Sequence, residues 1–262
     1  MTSPLEVALR SPARVLEKDK AGWLALFTED AIVEDPVGAG VHAGKQALSR
    51  FWDVFIQPQV SVRFTGRRDF EGPGQALRYV TISSVTPVSD TPFELSALVH
   101  YRVEGERVAS LRAFWEPHQA VSWHARQGLS GLGGLLKHGA RTTRGLGLGA
   151  ATKFGLAMRG GVTKKRADQL ASALAAASGG APWRDGFERA ECTVTDASGA
   201  SRTGLDGVEE ALAGDGAMQV EETIVAGDWV ACVLSGADRS AAALVHVQGG
   251  QVRSLELIAQ RR

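Results

Sequence analysis

The chain carries one short pattern twice. Residues 97–114 read ALVHYRVEGERVASLRAF, and residues 243–258 read ALVHVQGGQVRSLELI. Both open on ALVH, turn at glycine and return through Val-x-Ser-Leu, with the second copy two residues shorter at the turn. Each is a hairpin pattern, with apolar residues alternating around Glu104-Gly105 or Gly249-Gly250. Upstream, Asp35 followed by Gly44-Lys-Gln-Ala-Leu matches Asp196 followed by Gly204-Leu-Asp-Gly-Val, at spacings that differ by one. Two matched segments in the same order predict a duplicated domain. The 262 residues leave room for two domains of ordinary size. On this alignment Leu244, His246 and Leu255 are the counterparts of Leu98, His100 and Leu111.

The two copies are separated by an unusual stretch. Residues 119–167 hold nine Lys and Arg and no acidic residue, although the whole chain balances 29 basic against 29 acidic residues. The block that follows, 168–262, is acidic. The stretch is also rich in glycine, which destabilises helix and strand alike. It reads as a basic Gly-rich connector over 119–164, with short helices around 121–136 and 150–158. It would join a domain at 1–118 to a second at 165–262. The nearest acidic partner is the C-terminal block of the same chain, so docking of the connector there is expected. An alternative is a membrane surface, met by the basic residues together with Leu129, Leu132, Leu135, Leu136 and Phe154. Nucleic acid is disfavoured because few aromatics are present to stack on bases. No glycine run follows a strand and opens a helix as G-x-G-x-x-G, nor does a P-loop lysine follow one, so dinucleotide or phosphate cradling is not expected.

Other classes are excluded by what is missing. No 18-residue apolar run exists to span a membrane. The first residues, MTSPLEVALRSPARV, lack an apolar signal core, which points to the cytoplasm. Cys192 and Cys232 cannot form a disulfide framework or a metal site and are expected as buried, reduced thiols. No His or Cys pair has metal-ligand spacing, so neither metal nor cofactor is expected.

Within the first copy the pattern is helices followed by sheet. Ser3-Pro4-Leu5-Glu6 is a capping box with proline at the first helical position. Ser11-Pro12 should interrupt that helix or start another. Asp19 can cap a helix burying Trp23, Leu24 and Phe27. A short strand over 31–34 ends at Asp35-Pro36, and Leu48, Phe51, Trp52 and Phe55 fall at helical spacing. Strands are expected near 60–70, 74–87, 92–103 and 107–116. This is an α+β arrangement.

At this point the residues resemble a known family. The run LFTEDAIVEDPVG over 26–38, then His42-Ala-Gly44, a helix ending Phe51-Trp52, and the strand SLRAFWE over 110–116 are similar to the ketosteroid isomerases. These belong to the nuclear-transport-factor-2-like and SnoaL-like group. The resemblance spans roughly residues 5–118, and through the repeat extends more weakly to 165–262. It implies two cone-shaped curved antiparallel sheets, each wrapped on N-terminal helices, with an apolar pocket in the first. It implies a small apolar ring-containing ligand of steroid or polyketide type. In such isomerases an aspartate carries a proton beside a ketone while a tyrosine and a protonated acid hold the enolate. Asp35 falls on the base, Trp115 on a pocket-wall aromatic, and Phe51 and Trp52 on the aromatic pair of the third helix. The tyrosine should lie near Ser11, yet no tyrosine precedes Tyr79. The fold hosts several activities, so a non-catalytic ligand-binding or assembly module is the alternative to an isomerase.

A two-residue loop at Glu104-Gly105 would pair Val103 with Glu106, Leu98 with Leu111 and His100 with Ala109. Leu98 then stands where the acid would be, and His100 shares the pocket face with Leu98, Leu111 and Trp115. His100 is thus a candidate donor or second proton carrier, and equally a satisfied histidine at a sheet edge. Tyr101 should face the other way. The second copy, with few aromatics and Ala259 opposite Trp115, is expected to supply packing surface, through a pseudo-dimer within the chain or a homo-oligomer.

Overall fold

The computed structural model describes residues 2–157, 161–187, 193–196, 198, 200–212 and 216–261. The chain divides into two units, residues 1–69 with 74–159, and residues 70–73 with 160–262.

The first unit opens with α1 (Pro4–Glu17), held by the Ser3/Glu6 capping box. The helix runs through Pro12 without breaking, because Val7, Ala8, Ser11 and Val15 form one buried face on both sides of it. Asp19 caps α2 (Lys20–Ala25) by accepting the Gly22 N–H. Then come β1 (Phe27–Glu34), β2 (His42–Ala43) and α3 (Gly44–Phe51), which continues as a π-helical turn to Ile56. Long strands follow: β3 (Ser61–Gly72), β4 (Gln75–Thr86), β5 (Ser89–Glu104) and β6 (Arg107–Phe114). The sheet order is β2-β1-β6-β5-β4-β3. The pairs β1–β2, β4–β5 and β5–β6 are antiparallel, and β1 lies parallel to β6, with Val33 opposite Leu111.

The stretch read as a connector is largely helical. It forms α4 (Pro117–Arg126), α5 (Gly128–Leu146) and α6 (Leu148–Ala157). These helices belong to the first unit. The glycines explain how α5 packs. A Cβ on Gly131 would collide with the His124 carbonyl. One on Gly134 would lie 2.8 Å from a Val88 methyl, and one on Gly145 would lie 2.5 Å from a Val54 methyl. Glycine here lowers intrinsic helicity but lets the helix approach its neighbours closely.

The second unit repeats the order of elements. Helix α7 (Lys164–Ser178) and a 3₁₀ turn (Arg184–Phe187) precede β7 (Thr193–Thr195), β8 (Ser201–Thr203) and α8 (Asp206–Leu212). Strands β9 (Gln219–Ala226), β10 (Trp229–Ser235), β11 (Arg239–Gln248) and β12 (Gln251–Arg261) complete it. Its sheet order, β8-β7-β12-β11-β10-β9, is that of the first unit, with β7 parallel to β12. The duplication therefore holds at the level of topology. Cys232 is buried, and desolvation pushes its thiol up to about 12; Cys192 lies outside the described residues.

The shared ALVH letters, however, are out of register. In the first unit Glu104 pairs with Arg107, Val103 with Val108, and after a bulge Arg102 with Ser110. In the second Gln248 pairs with Gln251, Val247 with Val252, and after a bulge His246 with Ser254. The two turns thus have equal length. Counted from the turn, Leu255 matches Leu111 as expected, but His246 matches Arg102 and Leu244 matches His100.

Candidate functional site

The first sheet and its helices enclose a cavity of about 340 Å³, within the range of small-molecule sites. Its walls are mostly apolar. Among its polar groups are Ser11 from α1, Asp35 after β1, Tyr101 from β5, His124 from α4, and Lys137, His138 and Arg141 from α5.

Asp35 emerges from β1, where Ala31 and Val33 are buried and Ile32 is exposed, so the next residue on the buried side is Asp35. Glu34, on the other side, pairs with Arg112 at 3.3 Å. The loop that follows has already used its nearest N–H groups. Val37 donates to the Ala113 carbonyl at 2.9 Å and Gly38 to Glu34 Oε1 at 3.0 Å. The Asp35 carboxylate instead accepts the Trp115 indole N–H at 2.6 Å. The surface Asp35 retains faces the cavity. Desolvation raises its pKa to about 6, partly offset by the Trp115 bond.

Tyr101 is the group that the sequence reading turned the wrong way. Tyr101 pairs with Leu111, and Val99 with Ala113, so these four share the cavity face with Trp115. Two local features shifted the pairing. The loop residues are Gly105-Glu106 instead of Glu104-Gly105, with Gly105 at φ +60° in the first loop position. This moves the register by two and leaves the faces unchanged. The bulge opposite Arg102 and Val103 adds one more residue and exchanges the faces. The Tyr101 hydroxyl shares a hydrogen bond with Ser11, and burial pushes its pKa up to about 12. Ser11 also accepts the Trp23 indole N–H at 3.0 Å. A glycine in the first position of a two-residue hairpin loop was the signal that could have placed the turn.

The predicted site residues therefore separate. Asp35, Phe51, Leu111 and Trp115 line the cavity. Leu98 and His100 do not: they pair with Phe114 and Arg112 on the opposite face of β5. His100 Nε2 bonds Gln75 Oε1 at 2.9 Å. Its pKa falls to about 3 through desolvation, then Arg102 and Arg112, so it is neutral and cannot carry protons for this cavity. Trp52 is also absent from the lining. It is fully buried behind the wall, with its ring 5.4 Å from Trp23 and its indole donating to Gln57.

Helix α5 closes the cavity with one face. Gly134, Leu135, Lys137, His138 and Arg141 line it, at three- and four-residue spacing. His138 packs on Phe55, with ring centroids 5.5 Å apart. The expected apolar membrane face is thereby split. Leu135 turns inward, Leu129, Leu132 and Leu136 remain exposed, and the Phe154 side chain lies outside the described residues. Among the described residues no helix is long and apolar enough to cross a membrane, and no group of three potential ligands could hold a metal.

Comparison with known proteins assigns this unit to a class. The SnoaL-like domain family matches residues 9–111. The chain is 29% identical over 103 residues to the Steroid Delta-isomerase of Nocardioides simplex, covering 38% of this chain and 80% of that protein. Among solved structures, the Delta 5-3-ketosteroid isomerase of a Mycobacterium species is 28% identical, with 43% of this chain and 93% of that one covered and a TM-score of 0.40. The Mycobacterium tuberculosis protein RV0760c, in complex with estradiol-17beta-hemisuccinate, is 26% identical, with 43% and 94% covered and a TM-score of 0.40. Residues 9–111 thus match the SnoaL-like domain family, and the chain is similar to a steroid delta-isomerase. The second unit repeats the strand order of the first.

Proposed function

We propose that the N-terminal unit moves a proton beside the carbonyl of an apolar ring ketone, with Asp35 as the base. On a β,γ-unsaturated ketone, the Asp35 carboxylate takes a proton from the carbon between carbonyl and alkene. The electron pair left behind delocalises into a dienolate, whose oxygen accepts a hydrogen bond from the Tyr101 hydroxyl. Protonated Asp35 then returns the same proton to the γ carbon, and the double bond ends in conjugation. No external acid, base or redox partner is consumed.

The observation that carries this reading is a carboxylate desolvated inside an apolar cavity that also receives a phenol. A base with a pKa of about 6 is ionised at neutral pH yet basic enough to take a carbon-bound proton. The N–H of Trp115 keeps it oriented. The homology to a steroid delta-isomerase supports the substrate class.

A second reading, ligand binding without chemistry, has its own observation. Tyr101 is already engaged with Ser11 and Asp35 with Trp115, so the polar groups are satisfied without a substrate. An assay of enone formation from a β,γ-unsaturated 3-oxosteroid separates the two. Isomerisation by the wild type that drops about 10²–10⁴-fold in Asp35→Asn supports the enzyme. Tight steroid binding with conversion no faster than buffer leaves the binding module.

A further inference from the structure

The two ends of the cavity differ in charge. At one end Ser11 bonds both Tyr101 and Trp23. A row of rings leads away from it, Trp23 to Phe51, Phe51 to Phe55 and Phe55 to His138, at centroid spacings of 6.2, 5.1 and 5.5 Å. The row ends on α5, and the charged side chains there are Lys137 and Arg141. Asp35 is the one acidic side chain among the residues lining the cavity, and its carboxylate is held by Trp115. No acidic residue occurs anywhere in 119–167. Among the described residues neither Lys137 nor Arg141 has a carboxylate partner. The pKa of His138 between them is lowered by burial, then by Arg141 and His124.

A neutral ring ligand would leave these cations without a counter-charge at the mouth of an apolar cavity. We infer that the occupant is an amphiphile: an apolar ring body whose end nearest α5 carries an anionic oxygen group, a carboxylate or a phosphate, met by Lys137 and Arg141. The inference rests on the ring-ketone reading of the cavity and adds a specificity element on α5. A guanidinium offers such oxygens paired donors, and a lysine a mobile point charge.

Binding to the full chain, followed by tryptophan fluorescence, tests it with three probes: a steroid enone bearing a side-chain carboxylate, its methyl ester, and the phosphate ester of the corresponding alcohol. At least one anionic probe should bind about fivefold or more tighter than the ester, as two partly exposed ion pairs allow. The advantage should shrink between about 0.1 M and 1 M salt, where the screening length falls from about 10 Å to about 3 Å. Lys137→Gln with Arg141→Gln should bring the ratio of anion to ester affinity to about one, whereas Arg126→Gln, which removes a charge outside the lining, should preserve it. Because the readout is a ratio within each variant, a general loss of folded protein cannot imitate it. Binding of an anion should also raise the pKa of His138, read from its ring resonances. Equal affinities for ester and anions, or an advantage that survives the double variant, overturn the inference while leaving the ring-ketone site intact. Binding of none of the probes overturns both.

Discussion

Asp35 and Asp196 occupy one topological place and live in opposite environments. Each follows the strand that lies parallel to the last strand of its sheet, with Val33 opposite Leu111 in one and Val194 opposite Leu255 in the other. Asp35 is followed by proline, which has no N–H, and then by N–H groups committed elsewhere. It turns inward to Trp115 and is desolvated. Asp196 is followed by Ala-Ser-Gly-Ala, and its carboxylate gathers the Ser198 N–H at 2.8 Å, the Ser198 hydroxyl at 2.6 Å and the Ala200 N–H at 3.1 Å. The counterpart of Trp115 is Ala259, which offers no donor. Consequently the pKa of Asp35 rises and that of Asp196 falls, the latter through its Ser198 bond first. The two sites teach that position in a fold does not set a carboxylate's pKa. What raises it is the removal of water and of competing donors.

The comparison breaks most visibly in the rate. Asp35→Asn should lower isomerisation about 10²–10⁴-fold, and Tyr101→Phe about 10²–10³-fold through loss of the oxyanion donor. Asp196→Asn should leave the rate unchanged. In the wild type, kcat/KM should rise with pH and level off above about 6, where Asp35 is ionised. A flat profile between pH 5 and 7, or an equal loss from both aspartates, would remove Asp35 from the chemistry.

Stability should move in the other direction. Folded Asp35 keeps its proton up to about 6, whereas the unfolded residue loses it near 3.8. Between these values folding takes up a proton, so the contribution of this group falls as pH rises through the window and stays lower above it. Asp35→Asn removes that cost and should stabilise the first unit by about 2–3 kcal/mol at neutral pH, an effect that vanishes below about pH 4. Asp196→Ala should destabilise the second unit at neutral pH by about 1 kcal/mol, the worth of a surface turn's hydrogen bonds. Denaturant titrations at two pH values check both signs. A stabilised Asp196 variant, or an Asp35 variant unaffected by pH, would contradict them.

Much of this contrast was legible from the residues alone. The duplication, the order of helices and strands, Asp35 and Trp115 all follow from patterning and resemblance. Which face Tyr101 presents did not, because a single bulged residue reverses the faces of a strand and nothing in Val108-Ala109-Ser110 announces one. The same bulge recurs before Ser254, so superposing the hairpins from their turns outward, instead of on the letters ALVH, would have revealed the register. Short helices around 121–136 and 150–158 were expected, but the length and packing of α5 were obscured for another reason. Its glycines were weighed by propensity, although Gly131, Gly134, His138, Arg141 and Gly145 fall at alternating steps of three and four, the period of a packed helical face.

That reading of the glycines can be sharpened within α5. Gly145→Val must push into Val54, and a branched side chain cannot swing clear, so a loss of about 1–3 kcal/mol is expected. The cavity should suffer with it, because the face of α5 that bears His138 and Arg141 would be lifted. Steroid binding should therefore weaken together with the melting temperature.

Gly139 is the counter-case and the smallest effect. It lies in the same helix, one residue after His138, but a Cβ there would meet nothing within 4 Å. It has no close approach to justify its conformational freedom, so its glycine only adds to the entropy of the unfolded chain. Gly139→Ala should stabilise the first unit by about 0.5–1 kcal/mol, the helix-propensity difference between the two residues. Ligand affinity should not change, since the cavity-facing residues keep their places. If Gly139→Ala instead destabilises as Gly145→Val does, the glycines of this segment act as a class and not one by one. The account of α5 as a helix packed by particular glycines would then be wrong.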